Sequence, residues 1–123
     1  MTNLEYASNA YLKTMVNTSE SKLDLVILLY DGAIEFLHKA VFYMGRQDVA
    51  KKLHYMSKSL DIITELLNSL NMKDGGEVAC NLQNLYIYMM KELTSANIRN
   101  DPEKINRVQG LLRVLRDGWK GIR

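Results

Sequence analysis

Hydrophobic positions recur along this chain at alternating steps of three and four. Leu23, Ile27, Tyr30, Ile34, Leu37, Val41 and Met44 form one series, and Val49, Leu53, Met56, Leu60, Ile63, Leu67 and Leu70 a second. Val78, Leu82, Leu85, Met89, Leu93 and Ala96 form a third, and Ile105, Val108, Leu112, Leu115, Trp119 and Ile122 a fourth. Such steps hold side chains on one face of an α-helix, whereas a strand would scatter them over two faces. The spacing predicts helices over about 20–44, 48–70, 76–98 and 102–120. Stop and start chemistry lies between them. Ser19 and Asp48 are candidate caps, Gly45 a candidate helix end, and Asp74-Gly75-Gly76 a candidate turn. Asn100-Asp101-Pro102 combines a cap with a proline at the first helical position. Connections this short make neighbouring helices antiparallel, so the expected fold is all-α, an up-down four-helix bundle over 19–123. Residues 1–18, with Tyr6, Tyr11, Leu12, Met15 and Val16, are expected to be a flexible segment or a short docking helix.

The stripes have apolar neighbours beyond what closing a bundle requires. A bundle helix needs an apolar arc of about 100° or somewhat more. The first helix adds Val26, Ala33 and Ala40, then Leu25, Leu29 and Phe36. The second adds Tyr55, Ile62 and Leu66; the third adds Ala79, Tyr86 and Met90, with Asn97 continuing the line. Two readings compete. Either the extra residues are packing around a central helix, or they line grooves that hold an apolar partner segment. Tyr and Met suit the second reading, because flexible, polarisable side chains accept more than one ligand shape. On that reading the N-terminal apolar patch covers part of the surface when no partner is present.

Composition narrows the function classes. With 123 residues the chain has the length of one domain, and one proline and seven glycines are too few turn residues for a many-stranded β fold. A net charge of +2 makes no strong demand for nucleic acid or anionic lipid. Cys80 is single, which suits a reducing compartment. No signal peptide is apparent, and the longest apolar run, Leu25 to Tyr30, is too short to span a bilayer. The expectation is a cytosolic protein with no membrane insertion.

Catalytic chemistry does not emerge from the residues. His38 lies among Asp24, Asp31 and Glu35, and His54 near Lys58, Asp61 and Glu65, as on solvated helix faces. His54 raises the alternative of a histidine phosphotransfer bundle, although the segment from His54 to Ser59 lacks the expected glycine and places lysine one position late. No metal-ligand spacing faces the core, and no phosphate loop is present. Lys104, Arg107, Arg113, Arg116 and Lys120 make the last helix basic, which reads first as a solvated face. The expectation is a binding protein without cofactor or metal, not an enzyme.

The residues resemble the flagellar secretion chaperone family FliS over about Asn9 to Trp119. The resemblance is carried by Ala10-Tyr11, Leu29-Tyr30-Asp31-Gly32-Ala33, Asp61-Ile62-Ile63-Thr64-Glu65-Leu66 and Gly75-Gly76-Glu77. It continues through Asn81-Leu82, Leu85-Tyr86, Ala96-Asn97, Asn100-Asp101 and Leu115-Arg116-Asp117-Gly118-Trp119. It implies a cytoplasmic four-helix bundle that binds the disordered C-terminal segment of flagellin, prevents early polymerisation and assists delivery to the type III export gate. By position it implies Tyr11, Ile62, Leu66, Tyr86, Met90 and Asn97 as partner contacts, with Asp31 and Asn81 as polar fixers. Tyr30, Leu82, Leu85, Met89 and Trp119 read as core. A helical adaptor for another export component is the remaining alternative.

Overall fold

In the computed structural model residues 19–122 are described, with side chains from residue 22 onward; the 1–18 segment, Tyr11 included, lies outside the described residues. Among the described residues four helices follow in order: α1 (Ser19–Gly45), α2 (Val49–Asn68), α3 (Met72–Arg99) and α4 (Pro102–Gly121). Each packs on its neighbour in the chain, α4 returns to α1, and the diagonal pairs meet only through side chains. The result is an antiparallel up-down four-helix bundle.

The helix ends follow backbone hydrogen bonding more closely than glycine placement. Gly45 is the last helical residue of α1, and the left-handed residue that ends the helix is Gln47, at φ 57°. Asp48 N donates to Tyr43 O at 3.0 Å and Gln47 N to Met44 O at 3.2 Å, the paired bonds of a Schellman closure. Asp48 then caps α2 by accepting from Lys51 N. Asp101 and Pro102 open α4 as expected, after Asn100 turns left-handed at φ 51°.

The expected break at Asp74-Gly75-Gly76 is present as a kink at Gly76, and a short helical turn precedes it. The connection between α2 and α3 is made at Ser69–Asn71, and Asn71 caps a helix that begins at Met72. Gly76 is a kink inside that helix, at φ 55° and ψ −133°, where an L side chain is strained. Gly76→Ala should therefore cost about 1–3 kcal/mol in urea unfolding. Gly118→Ala, at a helical position with open space around it, should be neutral or stabilising by up to about 1 kcal/mol.

The core is built around α1. Leu25, Leu29, Tyr30, Ala33, Leu37 and Ala40 are all buried, so the broad apolar arc of α1 is packing. A Cβ on Gly32 would meet Ile62 Cδ1 at 3.2 Å, so this glycine lets α2 approach α1 closely. The stripe expected on α2 is rotated. Val49 and Leu53 are 60% and 43% exposed, while Lys52, Met56, Ser59, Ile62, Ile63 and Leu66 face inward. Ser59 is buried because its hydroxyl donates within its own helix, to Met56 O at 2.9 Å. Gln109 is buried because its amide donates to Ile34 O of α1 at 3.1 Å.

Candidate partner-binding surface

Packing four helices in a ring leaves a furrow between the first half of α3 and the second half of α4. Val78, Leu82, Val114, Leu115, Trp119 and Ile122 line it, around a volume of about 270 Å³. An adjoining cavity of about 260 Å³ shares Val78, Leu82 and Trp119 and reaches Val26 of α1, Leu66 and Leu70 of α2, and Tyr86. Val78 and Val114 are 63% and 70% exposed, so the furrow is rimmed by branched side chains that nothing described covers. Groups of this kind in contiguous order are what a docking apolar helix requires.

A polar cluster lies beneath the furrow. Tyr30 and Tyr86 share a buried hydrogen bond between their hydroxyls, joining α1 to α3 across the bundle. Burial pushes both phenols above their ordinary value; Tyr30 is pulled partly back by the Tyr86 hydroxyl and the Trp119 indole N–H beside it. Trp119 Nε1 is itself buried, with no hydrogen bond of ordinary geometry among the described residues.

The sequence-predicted contacts separate into several places. Leu66 and Tyr86 line the cavity, but both are buried and serve as its floor. Ile62 is a core residue against Gly32, not a surface contact; the small residue opposite draws it inward. Met90 lies in a separate shallow hollow with Thr94, Ser95 and Ile98. Asn81 is exposed on α3. Asp31 pairs with Arg116 at 3.1 Å and so links α1 to α4. Asn97 is half-buried at the end of α3: its backbone carbonyl accepts from Lys52 Nζ at 3.2 Å, and its Oδ1 is buried without a hydrogen-bond partner among the described residues.

Three rim residues were missed or misread. Val78 and Ile122 read as stripe residues, yet both are exposed; Val114 stands outside every stripe. The available signal for Val114 was an apolar residue beside Arg113 and outside the stripe of its helix.

Other chemical candidates are less organised. His54 is exposed and lies edge-on to Tyr55, with ring centroids 4.9 Å apart. Cys80 is exposed. No cluster of three or more metal-binding side chains occurs among the described residues. Three cations of α4 are met from adjacent helices: Lys104 and Arg107 by Glu92, and Arg116 by Asp31. Among the described residues, no helix is long and apolar enough to cross a membrane.

Comparison with known proteins gives a consistent result. The family described as "Flagellar protein FliS" matches residues 2–123. A protein named flagellar secretion chaperone FliS from Salmonella typhimurium strain LT2 is 38% identical over 117 residues, covering 92% of this chain and 87% of its own. The protein of the same name from Vibrio cholerae is 35% identical, covering 92% and 85%. That from Bacillus subtilis strain 168 is 32% identical, covering 90% and 81%.

Proposed function

The chain belongs to the flagellar protein FliS family of flagellar secretion chaperones, and we propose that its client is a flagellin, held by its disordered C-terminal segment. On this reading the furrow between α3 and α4 is the main seat, and the exposed pair Val78 and Val114 across it is the observation that carries the reading. Met90 with Ile98, and Asn81 nearer the start of α3, extend the contact around the same helix. Leu66 and Tyr86 meet the client from the cavity floor, and Asp31 contributes by holding Arg116 beside the furrow.

The chemistry suits holding and release. A filament-forming helix has an apolar face that would otherwise pack on its own kind. Burying that face gives non-directional attraction, and branched and sulfur-containing side chains tolerate variation in the client. Ordering a disordered segment costs about 2–5 kcal/mol or more of the gross interaction, so a large contact area still permits release. The protein acts in the cytosol on this reading and hands its client to the type III export gate. Calorimetry against the C-terminal segment of a flagellin from the same cells tests the reading. Binding with a negative heat-capacity change is expected; absence of binding to that segment rejects the assignment. His54→Ala should bind as the unaltered protein does, since its exposed ring lines neither the furrow nor the adjoining cavity.

A further inference from the structure

At one end of the bundle, the connection between α1 and α2 meets the connection between α3 and α4 around a pocket of about 530 Å³. Its apolar walls come from Val41, Met44, Val49 and Pro102, and its polar wall from Asp48, Lys52 and Asn100. Lys52 is only 6% exposed. Its ammonium donates to Asn97 O at 3.2 Å and to Asn100 Oδ1 at 2.7 Å, closing the C-terminal end of α3. Both acceptors are neutral, and no carboxylate lies within ion-pair distance among the described residues. A buried charge without a counter-ion is costly, and an ammonium has three N–H groups. One N–H of Lys52 is left over. The Asn100 amide, with its oxygen turned to Lys52, presents its NH₂ without a described acceptor. Asp48, on the same wall, uses one carboxylate oxygen to cap α2, accepting from Lys51 N at 3.1 Å, and the other has no hydrogen-bond partner among the described residues.

We propose that this pocket takes the free C-terminus of a polypeptide ending in an apolar residue. The terminal carboxylate meets the spare donors of Lys52 and Asn100. The last backbone N–H donates to the second oxygen of Asp48. The last side chain enters between Val41, Met44 and Pro102. Each polar group of a chain end thus has a complement, which a neutral or cationic ligand would leave unmet. That the occupant is the end of the flagellin client rests on the function proposed above; the preference for a carboxylate does not.

The probe is acetyl-Ala-Leu-Leu as the free acid and as its C-terminal amide, followed by calorimetry and by the NMR shift of the Met44 methyl group. The acid should bind about ten-fold or more tightly than the amide, as loss of a charge-assisted pair implies. Lys52→Met, confirmed folded by its thermal transition, should bring acid and amide to parity. Asn100→Gly keeps the left-handed turn and should narrow the difference. Equal binding of acid and amide to the unaltered protein, or binding of neither, overturns the inference. If the acid tripeptide binds but the long flagellin segment does not, the pocket stands and the client assignment falls. If the long segment binds equally as acid and amide, the client docks without its terminus in this pocket.

Discussion

Val78→Asp should weaken binding of the flagellin C-terminal segment by about ten-fold or more while the melting temperature moves by only a few degrees. Val78 stands on the furrow rim and is largely exposed, so the free protein keeps an aspartate there in water. Its position just after the kink at Gly76, where the helical run of α3 resumes, also favours an acidic side chain. In the complex the same carboxylate would be buried under the client's apolar face, and its desolvation has nothing to offset it. Ala50→Asp, at an exposed position of α2 outside the furrow, provides the control and should leave affinity unchanged. Calorimetry with one client segment compares the two. If Val78→Asp binds as tightly as Ala50→Asp, the furrow is not the seat.

The largest effect on stability is expected from Tyr86→Ala, at about 3–5 kcal/mol, the usual range for removing a buried aromatic ring. Tyr86 is fully buried and forms both the floor of the cavity and the bond to Tyr30. Tyr86→Phe keeps the ring and should cost about 1–3 kcal/mol, because the Tyr30 hydroxyl is left in the core without its partner. The double variant Tyr30→Phe with Tyr86→Phe should cost less than the sum of the two single changes, since no hydroxyl then remains to be satisfied.

Alkaline pH gives an independent reading of the same pair. Both phenols have folded-state values raised above the ordinary value, chiefly by burial. Their contribution is therefore fully present below about pH 10 and is lost as pH rises beyond it, because the unfolded chain releases its protons first. Urea unfolding at pH 8, 10 and 11 should show the unaltered protein losing stability more steeply than the double phenylalanine variant. Equal slopes would mean that the pair does not control the alkaline limit.

The helical class, the number of helices and their antiparallel order were legible in the amino-acid pattern. Steps of three and four constrain side chains to one face of a helix, and Asp48, Asp101 and Pro102 mark helix starts by local hydrogen bonding and proline geometry. Local signals were weaker where a residue other than glycine did the work. Gln47 closes the helix that Gly45 seemed to end, and Asn71 opens a helical turn ahead of the break at Gly76, because the terminal amides and carbonyls bind whichever group the backbone brings to them.

The direction in which each apolar line faces was decided only by tertiary packing. Along α2, the lines through Val49 and Leu53 and through Ile62 and Leu66 are neighbours on the same helix, and periodicity does not rank them. Gly32 of α1, with no Cβ to hold Ile62 away, turns the second line inward and leaves Val49 and Leu53 in water. For the same reason the predicted contacts Ile62, Leu66 and Tyr86 became core or floor, while Val78 and Val114 became the rim. Period tells which residues share a helix face; the size of the side chains opposite determines which face is buried.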